Sequence, residues 1–373
     1  MFDSGSRLLL TGGTGFLGGA IAADLIARPQ WPQVRLLVRA ASREEGAERL
    51  RKTLAQFEVG DAALARLSPD QVILGDFAEP QAMFADPALA ETTHVINSAA
   101  VATFANNPKL WPINVEGTFA FARRLTEVAR IERFVHVGTA MCVGPDAPKD
   151  VPEDYESPQP IRHLVPYTET KVEIERRLRA ELPQLPLVRA RPTIIVGHSR
   201  LGTRPSGSIY WVFRTAQLLE RFTVAPGDRI DVVPVDWAAH ALVELALKPA
   251  LRHDFYHLAA GPGHATVFAE LDAAMAAGRG VEPVLPRYRQ ATLEELDAMG
   301  GEYHKRLGPC HPRIMQRAIR LYGTFAALNY AFCNDHLRDE GLEPPPPFAS
   351  YAALCAVTSE GVTIAEQMMA DFK

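Results

Sequence analysis

A chain of 373 residues exceeds one typical domain, and its 47 % hydrophobic content is ample for a large α/β core with a smaller attached region. A formal net charge of −5 gives no electrostatic reason to expect nucleic-acid binding, and no stretch reaches the roughly 18 uninterrupted apolar residues of a membrane span. The four cysteines, Cys142, Cys310, Cys333 and Cys355, have no metal-binding spacing and the start MFDSGSR has no apolar secretory core, so free thiols, no metal site and a cytoplasmic location are expected.

The segment Arg7 to Ala20, RLLLTGGTGFLGGA, reads as strand, tight turn and helix. Gly12, Gly15 and Gly18 sit three apart, so the turn can take angles closed to other residues, a phosphate can approach bare backbone, and the helix can lie close on its strand. The free N–H groups of a helix from Phe16 to Arg28 would face that phosphate. VRLLVR at Val34 to Arg39 completes a β-α-β unit, the context that turns a Gly-rich turn into a dinucleotide site. Arg43 to Phe57 reads as a crossover helix, with Leu50, Leu54 and Phe57 at helical spacing. QVILGD (Gln71 to Asp76) and HVINSAA (His94 to Ala100) read as buried parallel strands whose ends face the cofactor.

Pro108 to Arg130 is a helical stretch whose first turn Pro112 threatens, and RFVHVGTA (Arg133 to Ala140) is a fifth strand. After a Pro-rich loop, a helix is expected from Tyr167 to before Pro183, then a sixth strand, LVRARPTIIVG, from Leu187 to Gly197. SIYWVFRTAQLLERF reads as a helix, RIDVVPVD as a short strand, WAAHALVELAL as a helix and FYHLAA as a strand, with mostly helix from Thr266 onward, interrupted at Pro344 to Pro347. This alternation predicts a Rossmann-type doubly wound parallel sheet over residues 1–265, with substrate-binding segments interleaved at about 198–235, and a smaller, mostly helical C-terminal substrate or lid region over 266–373.

Tyr167 and Lys171 are four apart, so one helix face carries both, and an ammonium near the phenol would favour the phenolate and lower its pKa. Thr139, at the end of the fifth strand, lies where a hydroxyl either hydrogen-bonds a substrate carbonyl or caps local backbone. An acidic residue at the end of the second strand would bind both ribose hydroxyls; Arg39 stands there instead, with Arg43 near in sequence. That predicts NADPH over NADH, the competing reading being a solvated strand-end charge. Cys142 is expected as a small buried apolar filler, and His94, His136, His163 and His198 lack ligand spacing. Arg176, Arg177 and Arg179 read as a solvated helix face, while Tyr210 and Trp211 suit either an acyl channel or core packing.

TGGTGFLG, Asp76 after the third strand, NSAA, Asn114 in NVEGT, Thr139 and YTETK together resemble the extended short-chain dehydrogenase/reductase superfamily over most of residues 7–260. LLVR at Leu36 to Arg39, RPTIIVGHSRLG at Arg191 to Gly202, and APGD with IDVVPVDWAAHAL around Ala225 to Leu242 are most similar to its thioester reductase and fatty-acyl reductase branch, the male-sterility type. The resemblance implies that Tyr167 exchanges a proton with the substrate oxygen, that Lys171 also binds the nicotinamide ribose, and that Thr139 polarises the carbonyl. It implies that Asp76 and Phe77 border the adenine and that Ala99 and Ala100 line the cofactor channel. Gly12, Thr14, Gly15, Phe16, Leu17, Gly18, Arg39, Asn114, Pro192 and Thr193 complete the implied cofactor contacts.

The implied substrate is a small molecule, an acyl thioester or a derived aldehyde or ketone, with a long-chain acyl group among the candidates and a homodimer as a candidate assembly. A nucleotide-sugar epimerase or dehydratase, a hydroxysteroid-type dehydrogenase and a non-catalytic cofactor-binding protein stay open as alternatives. The sequence departs from many relatives at TAMCVG, which lacks their aromatic near Met141 or Cys142, and the chain from about Pro283 matches no reductase segment. RIMQRAIRLYGTFAALNYAF, Arg313 to Phe332, carries Ile314, Ile319, Leu321, Tyr322, Phe325, Leu328 and Phe332 and is expected to cap an apolar substrate pocket. Contact with a membrane surface through Arg313, Arg317 and Arg320 is the alternative.

Overall fold

A computed structural model describes residues 2–371. Seven strands form one parallel sheet: β1 (Leu8–Thr11), β2 (Val34–Val38), β3 (Val72–Leu74), β4 (His94–Asn97), β5 (Arg133–Val137), β6 (Leu187–Pro192) and β7 (Phe255–Leu258). Their order is β7-β6-β5-β4-β1-β2-β3, so the chain reverses direction across the sheet between β1 and β4, the crevice where such sheets bind ligands. The inner strands are apolar on both faces because helices cover both. On one side lie α1 (Phe16–Ile26), α2 (Arg43–Gln56) and α6 (Val235–Leu247), on the other α3 (Thr118–Val128) and α4 (Pro166–Glu181). This is the doubly wound Rossmann-type sheet that the alternation of segments predicts.

A further core, built on Trp211, Phe268, Tyr303, Ile319 and Phe348, gathers α5 (Tyr210–Leu219), α7 (Phe268–Arg279), α8 (Pro312–Ala326) and α9 (Phe348–Thr358). A small cluster of Ala140, Val143, Val151, Ala259, Tyr330 and Phe332 packs just beyond the end of β5. No helix among the described residues is long and apolar enough to cross a membrane.

Local chemistry explains both the agreements and the departures. Ser42 caps α2 by accepting from the Glu45 N–H at 3.2 Å. Pro112 does not break its helix: it opens a π-helical turn, Pro112–Gly117, that runs into α3, at a position where no N–H is needed. The expected strand from Leu187 to Gly197 leaves the sheet after Pro192, and Ile194–Ile195 pairs instead with Val232–Val233. RIDVVPVD is likewise two pieces, because the Asp231 carboxylate is buried and takes the N–H groups of Ala260 (2.9 Å) and Phe332 (2.8 Å), so Arg229–Ile230 pairs elsewhere, with Thr266–Val267. The stretch expected to be helical to Phe332 stops at Ala326. Asn329 turns left-handed (φ 50°), its side chain accepting from the Arg229 N–H at 2.8 Å and donating to Asp228 at 2.9 Å, and Ala331–Phe332 pairs with Asp150–Val151. Arg177 is not simply solvated: it lies 4.1 Å over the Phe119 ring and pairs with Glu116 and Glu181.

Candidate active site

The turn after β1 is built for close approach. Gly12 has φ +78°, and a Cβ on Gly18 would stand 2.0 Å from the Gly12 carbonyl oxygen, so α1 can press onto the turn only as glycine. Gly15 precedes α1 and offers no side-chain cap, which leaves the first-turn N–H groups free to meet a phosphate. Thr11 donates to Asn97 Oδ1 at 2.7 Å and accepts from the Ala99 N–H at 3.1 Å, while Ser98 Oγ donates to the Thr11 carbonyl at 2.6 Å. These bonds tie the ends of β1 and β4 together and set Ala99 and Ala100 beside the turn. Thr14 is half-buried there; Phe16 and Leu17 pack on the α1 side of the core, Phe16 stacked at 6.4 Å on Phe57. A glycine cradle under an open helix N-terminus fits a dinucleotide pyrophosphate.

At the far end of the crevice Arg39 has a side chain 67 % exposed and lies 3.6 Å from Asp76, while Phe77 is buried against Phe121. Arg43, expected to assist Arg39, is held by Asp86 at 2.7 Å and points its charge there. Arg49, which the sequence reading missed, instead donates from α2 to the Arg39 carbonyl. Its signal was its place two turns past Ser42, on the helix face that carries the N-cap. Asn114 is buried and fully engaged, bonded to both backbone groups of Val101 (2.7 and 3.0 Å) and to Thr170 Oγ1 at 3.2 Å, so it fastens the channel wall to α4. Pro192 and Thr193 are buried, and Thr193 directs its N–H and hydroxyl to the Leu258 carbonyl.

Tyr167 and Lys171 lie on α4 against the end of β5, which leads into Thr139. Tyr167 is in the first turn of α4, and Lys171 places Nζ 5.9 Å from the centre of its ring. The same Nζ donates at 2.8 Å to the carbonyl of Val137, two residues before Thr139. Thr139 accepts the Met141 N–H at 3.4 Å through an oxygen lone pair, a role that does not use its hydroxyl proton. From sequence spacing alone, the ammonium is expected to lower the phenol pKa. Here burial dominates and pushes the Tyr167 hydroxyl up, with Cys142 adding to the effect. Burial also pushes Lys171 down to about 8, against the opposing attraction of Glu175. The Cys142 thiol is buried and pushed up to about 11, which suits an inert filler.

Phe104 is the other residue that sequence reasoning missed, its signal being an aromatic in the polar loop after NSAA. Its ring lies 6.1 Å from Tyr167 and stacks on Phe325 (4.9 Å) and Tyr322 (5.3 Å) of α8. Trp211 meets Tyr322 edge-on at 5.0 Å, so an aromatic surface runs from the Tyr167 ring into the helical core. Tyr210 and Trp211 are fully buried in that core. Leu328 packs with Met141 and Tyr330 in the small cluster past β5. Ile314 turns outward at 47 % exposure. No group of three or more His, Cys, Asp or Glu among the described residues is arranged to hold a metal ion.

The chain is similar to the non-canonical nonribosomal peptide synthetase FrzA of Cladobotryum sp, 29 % identical over an alignment of 335 residues that covers 84 % of this chain and 32 % of that protein. It is also similar to the aldehyde reductase lnaA of Aspergillus flavus, 26 % identical over 66 % of this chain and 25 % of that protein. The chain thus spans a third or less of the length of these curated relatives. Among solved structures, the terminal R domain from the myxalamid PKS-NRPS biosynthetic pathway shares the fold, with a TM-score of 0.72 at 22 % identity, covering 98 % of this chain and 93 % of that one. The model of the male sterility protein family matches residues 10–242, more than half of the chain. With its glycine turn, Tyr-Lys helix and parallel sheet, the chain belongs to the male sterility protein family of NAD(P)-dependent extended short-chain dehydrogenase/reductases.

Proposed function

We propose that this chain is an NADPH-dependent reductase acting on the carbonyl of an acyl thioester or of a derived aldehyde or ketone. The observation that carries the reading is Lys171 seated on Val137, two residues before Thr139, with its Nζ beside the Tyr167 ring, which faces Phe104 and through it the α8 rings Tyr322 and Phe325. The glycine turn, the α1 N-terminus, Ala99, Ala100, Asp76 and Phe77 would hold the cofactor, which when bound supplies the hydride for carbonyl reduction. Tyr167, kept neutral by burial, holds a proton at its hydroxyl and delivers it to the substrate oxygen. Thr139 orients that oxygen with its hydroxyl proton, and Lys171, seated on Val137, fixes a positive charge beside the developing alkoxide.

Arg39 and Arg49 supply the positive end for a 2′-phosphate, with Asp76 as the anion that the phosphate must displace. Arg39→Ala is expected to raise the KM for NADPH by about 10–100-fold, the loss of a charge-assisted hydrogen bond, and to change that for NADH little. A preference for NADH in the parent protein that persists in the variant would overturn the assignment.

The α8 rings stacked on Phe104, the aromatic that faces Tyr167, favour an apolar acyl substrate over a sugar nucleotide. Arg320 on the basic face of α8 is held by Asp297 rather than free for a lipid headgroup, which favours the pocket-wall role over a membrane contact. Phe325→Ala and Leu328→Ala are each expected to lower kcat/KM for long-chain substrates about tenfold more than for short ones, the scale of a lost apolar contact. Equal losses for both chain lengths in folded variants would leave the helix a purely supporting role. Screening acyl thioesters and aldehydes against nucleotide sugars, with cofactor oxidised counted per product, tests the substrate class; turnover of the sugars alone would overturn it.

A further inference from the structure

The site has an ion pair beneath it whose carboxylate is buried. Glu175 is one turn past Lys171 on α4 and 3 % exposed. Arg191 of β6 donates to it three times, from Nε to Oε1 at 3.1 Å and to Oε2 at 3.0 Å, and from Nη2 to Oε2 at 2.6 Å. The carboxylate lies directly on Gly138, where a Cβ would meet Oε1 at 2.2 Å. Gly138 joins Val137, whose carbonyl seats the Lys171 ammonium, to Thr139. The anion is therefore held against the three-residue segment that contains the Lys171 seat, Val137, and Thr139. Gly138 is itself bonded to β6 through the Ala190 carbonyl at 2.8 Å, so Arg191 and the strand end are one rigid unit.

The other titratable groups around Lys171 do not supply a negative charge. His136, on β5, contacts Asn97 through Nδ1 at 3.1 Å, has no partner at Nε2, and is kept neutral by burial, its pKa pushed down to about 3. Cys142, past β5, and Tyr167, on α4, are held protonated by burial, and Arg191, on β6, is a cation. Burial alone would favour the neutral amine at Lys171.

We propose that Glu175 is a positioning residue that keeps the buried Lys171 ammonium charged and seated on Val137, with Arg191 anchoring the carboxylate over Gly138. The proposal rests on the assignment of Tyr167 and Lys171 made above. An ion pair of this kind would be a costly way to secure α4 to β6 if packing were its only role, because apolar residues of similar volume do that as well.

The experiment is the pH profile of kcat/KM for NADPH-dependent reduction of an aldehyde or acyl thioester by the folded chain. In the parent protein, activity is expected to fall on the alkaline side as Lys171 loses its proton, near pH 8. Glu175→Gln is expected to move that limb down by about one pH unit, the scale of losing one charge at partly buried separation. Glu175→Asp, which keeps the charge, is expected to restore most of its position. Because Glu175→Gln leaves Arg191 buried beside a neutral group, Glu175→Gln/Arg191→Met is measured alongside, with the same downward direction expected. A parent profile with no alkaline fall, or a limb unmoved in whichever of these charge-lacking variants folds, overturns the proposal. Tyr167→Phe in the same assay separates the two readings: if it abolishes activity while the Glu175 variants keep the parent limb, only the role of Glu175 fails; if it has no effect, the catalytic assignment fails.

Discussion

Tyr167→Phe is expected to lower kcat for carbonyl reduction by about 10²–10⁴-fold, the usual contribution of a positioned general acid, while cofactor affinity changes little. The substitution removes one oxygen and keeps the ring that Phe104 contacts at 6.1 Å and that Lys171 approaches at 5.9 Å. Packing and the Lys171 bond to Val137 should therefore persist, and the loss should appear in turnover rather than in folding. Burial holds the hydroxyl well above the ordinary phenol range, so it remains a proton donor throughout the neutral range. Single-turnover rates with thioester and aldehyde substrates, together with cofactor titration by fluorescence, make the comparison. Unchanged turnover of every accepted substrate would place the proton donor elsewhere.

Arg191→Ala is expected to destabilise the fold by about 3–5 kcal/mol near pH 7, because it leaves the Glu175 carboxylate buried without its partner. The sign of the pH dependence follows from the shift. Arg191 opposes the effect of burial and holds the folded-state pKa of Glu175 below its ordinary value. The pair thus contributes stability above the unfolded carboxylate pKa of about 4.3 and loses it as pH falls through the folded value. In Arg191→Ala the direction reverses: burial without a counter-charge raises the folded pKa, so protonation on acidification relieves the variant. The stability gap between parent and variant, read from urea melts at pH 7 and pH 5, is expected to narrow at the lower pH. A gap constant across that range would mean that the carboxylate is not the source of the loss.

The features legible in the sequence are those specified by neighbours along the chain. Glycine spacing marks the turn between β1 and α1, since Gly12 must take a positive φ and Gly18 must lack a Cβ whatever packs around them. Apolar runs mark the buried strands, and a spacing of four puts Tyr167 and Lys171 on one face of α4. What depends on distant partners was decided only in the tertiary structure. Asp86 captures Arg43, while α2 turns Arg49 toward the Arg39 carbonyl. Asp231 breaks an apolar run that reads as one strand, by collecting N–H groups from Ala260 and Phe332. Phe104 reaches the site only because α8 folds back over the loop that carries it. Spacing on one helix shows that Lys171 and Tyr167 are neighbours, but the direction of the Tyr167 shift depends on how much water the fold removes from the phenol, and here desolvation outweighs the nearby charge. Glu175 and Arg191 look like ordinary surface charges in the sequence; their pairing beneath the end of β5, with the carboxylate buried, arises because α4 packs across β5 and β6, a long-range arrangement with no signature in local periodicity.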